Sequence, residues 1–298
     1  MSRPGRDTTA GAVYLDLQAR ARRDGRPTDE LLVLYVLERF LFRVARSPHR
    51  ARLILKGGML LAALEERRPT RDVDLLAQHV DNDIEGVSNL VRDVLAVEVD
   101  DGVVYDAGQL RAEATRALDP YPGVRIVVPA SVQRARQLLR IDINVGDPVT
   151  PAPMEVNYPT LLGDPFTLMG YPVETVLAEK IVTMVDRGDA TTRERDFADV
   201  VLLTSRHEIE AARLRAAIEA TALHRGSTLR PLAETLKTLG GERQAAWARF
   251  VETSGLAGSL PASYAAAIGL VAQFADPILS DSIAVARWLP AVGAWRPG

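Results

Sequence analysis

A chain of 298 residues, 47% hydrophobic, can bury a large core in one big domain or two smaller ones, and a formal charge of −3 excludes wholesale wrapping of nucleic acid. The absence of cysteine excludes disulfides and thiolate metal sites and suits a cytoplasmic protein. Residues 1–6 are polar and no long apolar run follows, so neither a signal peptide nor a membrane span is expected.

In chain order, residues 10–23 and 29–46 read as two helices parted by Gly25 and Pro27, with Thr28 or Asp29 capping the second. Leu31, Leu34, Tyr35, Leu37, Leu41 and Phe42 make its apolar stripe, which is packing rather than chemistry. A buried strand is expected over 52–55, a turn at Lys56-Gly57-Gly58, a helix over 59–66, a polar link over 67–71, and a strand over 72–76. A helix over 84–96 follows, then a hairpin of 97–99 with 103–105 about Asp100-Asp101-Gly102. Strands are expected over 123–128 and 138–145, joined by a link at 131–137. Proline and glycine mark 148–170 as a linker with a short strand at 154–158. Helices are predicted over 172–187, 192–204, 207–222, 228–239, 242–253, 261–275 and 279–288, with a loose tail over 290–298. The fold class is therefore α/β, and the expected domains are residues 1–160 and a helical 161–298.

Three places in this pattern carry chemistry. Gly58 sits at a helix start, where free N–H groups and close backbone approach make a plausible phosphate cradle. In Asp72-Val73-Asp74-Leu75 the period is two, so both carboxylates share one face and each raises the other's cost of ionisation. A divalent cation removes that cost, and oxygen-only ligands favour Mg²⁺ or Mn²⁺. On strand 138–145, Arg140, Asp142 and Asn144 take the face opposite Ile141, Ile143 and Val145; Asp142 either joins the aspartate pair or lies on the solvent side of an edge strand.

Against 33 arginines the chain has only Lys56, Lys180 and Lys237, a bias that a GC-rich genome explains and that makes a lysine in a suspected site informative. Lys180 falls in the middle of an apolar stripe made by Val173, Val176, Leu177 and Met184. Asp196 falls on the apolar face of the next helix, with Asp199 and Arg193 at its margins. A structural ion pair and a catalytic role fit these two residues equally well from helical geometry.

Lys56-Gly57-Gly58 followed by Asp72-Val73-Asp74 resembles the signature of the polymerase-β-type nucleotidyltransferase superfamily. With Arg71 before the aspartates, Ala178-Glu179-Lys180-Ile181, and Arg193-Glu194-Arg195-Asp196-Phe197-Ala198-Asp199, the set is similar to the AbiEii group, which includes the MenT toxins. The resemblance implies a bilobed monomer, a mixed nucleotidyltransferase sheet with a helical C-terminal lobe. It implies Mg²⁺ (or Mn²⁺) on Asp72 and Asp74, an NTP held by Lys56, Gly57, Gly58, Arg71 and Lys180, and Asp196 completing the site. Asp142 matches the third carboxylate of the superfamily and could help deprotonate the acceptor. Many members have serine at the position of Gly58, so backbone N–H groups would replace a hydroxyl contact here.

The same resemblance implies transfer of NMP to the 3′ end of tRNA, blocking aminoacylation and growth, and a cognate antitoxin. Arg22, Arg23, Arg26, Arg111, Arg116, Arg134, Arg136 and Arg140 are the arginines available to an RNA, or else ordinary solvated surface. Some MenT toxins are silenced by phosphorylation at the position that Thr70 occupies. Alternatives are a small-molecule acceptor, as in aminoglycoside-type enzymes, a protein acceptor, and a non-catalytic nucleotide-binding regulator.

Overall fold

The computed structural model describes residues 5–64, 69–81, 83–115, 123–283 and 285–297. Two compact units emerge: Met1–Gly146 with Met154–Gly170, and Asp147–Pro153 with Tyr171–Gly298.

The first unit opens with α1 (Thr9–Arg23), capped by the Thr8 side chain, and α2 (Thr28–Arg46), whose cap position is Pro27. There follow β1 (Leu53–Lys56), α3 (Gly57–Ala63), β2 (Val73–Ala77) and α4 (Ile84–Leu95), the last capped by Asp83 accepting from the Gly86 N–H at 2.6 Å. The unit continues with β3 (Val103–Tyr105), β4 (Arg111–Thr115), β5 (Gly123–Val132), β6 (Ala135–Val145), β7 (Met154–Tyr158) and β8 (Phe166–Gly170). These strands form one mixed sheet in the order β3-β5-β6-β2-β1-β8-β7, with β4 also pairing along β5. β2 runs parallel to β6 and antiparallel to β1.

Alternation sorts the sheet into two faces. Val73, Leu75, Ile126, Leu139, Ile141 and Ile143 are fully buried on one, and α2 packs along β5, β6 and β8. At about 25 cal/mol per Å² this apolar burial is what holds the sheet. Three expectations change here. The stretch read as a linker holds the expected strand at 154–158 as β7 and also an unexpected β8, which pairs antiparallel with β7 and lies parallel to β1. The link at 131–137 is the tight end of the β5–β6 hairpin, turning at Gln133 with φ +54°. Residues 97–99 form no strand: Asp101 turns inward and its carboxylate is taken by two arginines of α2, Arg43 at 2.6 Å and Arg39 at 3.0 Å. A buried charge needs such partners, and these two arginines are themselves buried.

The second unit holds α5 (Val173–Arg187), α6 (Glu194–Arg206), β9 (Ile209–Glu210), α7 (Ala211–Arg225), the short turns α8 (Leu232–Thr235) and α9 (Leu239–Glu242), α10 (Gln244–Ser254), α11 (Tyr264–Leu279), β10 (Ala286–Leu289) and β11 (Ala294–Pro297). Phe197, Leu203, Trp247, Tyr264 and Phe274 form its buried aromatic and aliphatic centre. The single helix expected over 228–239 is two separate turns. The helix expected over 279–288 and the loose tail are instead a β10–β11 hairpin that extends β9. Trp295 stacks on Phe274 at 5.3 Å and donates to its carbonyl at 2.9 Å, while Trp288 donates to the Thr204 carbonyl at 2.7 Å. No described helix is long and apolar enough to cross a membrane.

Candidate active site

The first unit brings most of the predicted site residues onto the half-exposed face of its sheet. Sheet register aligns five charged side chains in one row: Glu113 opposite Arg125, Arg125 opposite Asp142, Asp142 opposite Asp74, and Asp74 opposite Lys56. In-register residues on neighbouring strands point to the same side, so the row is a strip of alternating charge across β4, β5, β6, β2 and β1. The sign repeats only at Asp142 and Asp74. Strand alternation puts Asp72 on the same face, one step before β2.

Gly57, at the junction of β1 and α3, has φ +65°, a conformation that favours glycine, and a Cβ there would overlap the Asp74 carboxylate. The helix therefore starts at Gly57, one residue before the expected Gly58, and Asp74 rests against its backbone. Gly58 is buried as the second residue of α3. On the other side of the pair, Thr70 is only 9% exposed and its hydroxyl donates to Asp72 Oδ1 at 2.9 Å. Arg71 is exposed just before β2.

Asp142 differs from its neighbour. Arg125 Nε and Nη2 donate to its two oxygens, each at 2.8 Å, a forked pair. The hydrogen bonds and then the charge of Asp142 hold the Arg125 guanidinium above its ordinary pKa, with Glu113 and Asp72 adding to the same field. Neither Arg125 nor Glu113 stands out in the sequence, where each is one polar residue in an alternating strand; only the pairing of β4, β5 and β6 makes them neighbours of an aspartate.

Of the basic residues considered for RNA, Arg111, Arg134, Arg136 and Arg140 are exposed around β4–β6, and Arg111 and Arg140 flank Val127 in the row next to Arg125. Arg22 is exposed, whereas Arg23 pairs with Asp24 and Arg26 with Glu30. Arg116 lies outside the described residues.

The second unit gathers a separate cluster. Lys180 Nζ on α5 lies 3.1 Å from Asp196 Oδ1 and 2.6 Å from Asp199 Oδ2, both buried on α6. Arg193, at the cap of α6, binds the other oxygen of Asp196. Burial pushes the Asp196 carboxyl up, but the Lys180 charge and the Arg193 hydrogen bond more than offset it and hold the group down at about 2. Two cations thus balance two carboxylates. Asp199, marginal on a helical wheel, is a full member of this cluster.

These motifs fall within residues 39–267, the span over which the chain matches the family described as nucleotidyl transferase AbiEii toxin, type IV toxin–antitoxin system. The protein belongs to the AbiEii family. As an AbiEii member it is a nucleotidyltransferase, and a toxin component of a toxin–antitoxin system. Among solved structures it is similar to a candidate nucleotidyltransferase from H. pylori, at 15% identity over 86% of this chain and 98% of that one, with a TM-score of 0.49. JHP933 from Helicobacter pylori is likewise 15% identical, over 84% and 94% of the two chains, at a TM-score of 0.46. Both are too distant to assign residues in this AbiEii chain. No curated protein matches it in sequence.

Proposed function

We propose that this AbiEii protein transfers a nucleoside monophosphate from an NTP to the 3′ end of tRNA, and that the blocked tRNA arrests growth. The observation that carries the reading is the Asp72–Asp74 pair, with Asp74 set against the left-handed turn at Gly57. That donor set fits a small hard cation. Among the described residues no group of three or more His, Cys, Asp or Glu could hold an ion, and Mg²⁺ typically takes one or two carboxylates with water and substrate phosphate completing its shell. Mg²⁺ or Mn²⁺ held by Asp72 and Asp74 would neutralise charge building on the phosphoryl oxygens.

The rest of the work falls to the chain. Gly57 and Gly58 let the backbone approach the triphosphate closely, and Lys56 and Arg71 supply positive charge to it. Thr70 holds the Asp72 carboxylate through its hydroxyl. An acceptor hydroxyl then attacks the α-phosphate in line; the new O–P bond forms as the bond to pyrophosphate breaks. Lys180 is assigned a phosphate-binding role, with Asp196 and Asp199 fixing its ammonium, and a cognate antitoxin restrains the activity. The tRNA reading is supported by the family resemblance and by the exposed arginines of β4–β6.

The test is to incubate the protein with each α-labelled NTP, Mg²⁺, and either total tRNA or aminoglycosides. Label on tRNA, lost on chelation and in Asp74→Ala, is the expected result. Label on aminoglycoside alone moves the acceptor to a small molecule, and label on neither with NTP binding retained makes the protein a regulator.

A further inference from the structure

The charged row contains an arginine that the proposed reaction does not yet use. Arg125 is committed to Asp142 through Nε and Nη2, which leaves Nη1 without a hydrogen-bond partner among the described residues, and its side chain is 45% exposed. It stands on the same face as Asp74, two strands away through Asp142. A guanidinium gripped on one edge by a carboxylate loses most of its rotamer freedom and offers its other edge in a fixed direction, the arrangement that suits a phosphate oxygen. Arg111 and Arg140, exposed in the next row, add positive potential beside it.

We infer that Arg125 is a substrate-binding residue that takes a phosphate group beside the Asp72–Asp74 pair, and that Asp142 is its positioning residue rather than a general base or metal ligand. Arg125 donates to both oxygens of Asp142, which fixes the direction of the carboxylate and partly neutralises its charge, although each oxygen keeps a second lone pair. The pairing has a second effect. Asp142 and Asp74 are like charges in register on adjacent strands, and the Arg125 guanidinium offsets that repulsion from the far side. The phosphate comes from the NTP or from the acceptor strand; the chemistry is the same. This inference rests on the nucleotidyl-transfer reading above.

The experiment is a double-mutant cycle of Arg125→Ala, Asp142→Asn and the pair, with Arg125→Lys as the conservative variant, assayed for KM and kcat toward each NTP and toward total tRNA. Losing one charge-assisted contact should raise the KM of one substrate ~10–100-fold with kcat changed less than about threefold. Both single variants should show the same split, and the double variant should be no worse than Arg125→Ala, because the two residues act as a unit. A rise confined to the NTP or to tRNA names the source of the phosphate. Loss of kcat in Asp142→Asn with Arg125→Ala fully active would put Asp142 on the reacting atoms and overturn the inference, as would an unchanged KM for both substrates in Arg125→Ala. Filter binding of labelled ATP and of total tRNA to the same variants, checked for wild-type melting, keeps the test readable if no transfer is found: weaker binding of either ligand to Arg125→Ala supports the role, and unchanged binding of both refutes it.

Discussion

Lys180 shows how a single side chain is read differently once its neighbours are known. On a helical wheel it is a lone cation in an apolar stripe; in the structure it is shared by Asp196 and Asp199, with Arg193 closing the cluster. Lys180→Met would take the shared ammonium away from two buried carboxylates and leave Asp196 to Arg193, at a cost of about 3–5 kcal/mol, so the variant is expected to melt well below the wild type. Acid should narrow that gap. The folded-state pKa of Asp196 is lowered from 3.8 to about 2, so its contribution is present above about pH 4 and lost as pH falls through about 2. Without Lys180 less offsets the burial of Asp196, although Arg193 remains, so the carboxyl protonates at higher pH than in the wild type and the penalty shrinks on acidification. Melting curves from pH 7 to 3 check this, and a constant gap would argue against the assignment of the pair. The phosphate role requires a separate readout: a raised KM for NTP, measured below the transition of the variant. A wild-type KM there would confine Lys180 to holding α5 against α6.

At the scale of elements, the strongest departures from periodicity lie where pairing partners are remote. The chain after Leu279 reads as an amphipathic helix and a Gly/Pro-rich tail, yet β10 and β11 form there because Trp288 and Trp295 find indole acceptors on α6 and α11 and rings to pack on. Trp295→Ala is therefore expected to destabilise the protein by on the order of 2 kcal/mol, for the loss of a half-buried indole and its stacking. Thermal or urea unfolding decides it; a neutral substitution would return residues 290–298 to the status of a loose tail. The same reasoning explains β8, which is held by β1 and β7 rather than by any local signal.

For the molecule as a whole, membership of a toxin–antitoxin family makes control as important as catalysis. Thr70 is the proposed point of control by phosphorylation. A phosphate there would replace the hydroxyl that donates to Asp72 and add about −1.5 to −2 charges beside two carboxylates, repelling an incoming triphosphate. Thr70 as a whole is 9% exposed, so local opening of the chain favours its modification. Thr70→Glu is expected to be inactive, and Thr70→Val, which loses the hydrogen bond to Asp72, to retain reduced transfer while escaping antitoxin-dependent modification. Mass spectrometry of toxin co-expressed with its antitoxin is the check: a fully silenced toxin carrying unmodified Thr70 would leave restraint to direct binding.

The sequence by itself determined the mixed α/β class, the helices α1, α2 and α4, the strands β1, β2 and β6, and the sharing of one face by Asp72 and Asp74. All of these follow from local periodicity, capping residues and glycine chemistry, which act within a few residues. It also contained, in four ordered motifs, the family. Tertiary structure alone decided which strands lie side by side, and with that the row Glu113–Arg125–Asp142–Asp74–Lys56, the capture of Asp142 by Arg125, the burial of Asp101 between Arg39 and Arg43, and the sharing of Lys180 by Asp196 and Asp199. The reason is range: alternation tells which face a side chain takes, but a charge finds its partner only after the chain has closed loops tens of residues long, and no local pattern records that closure.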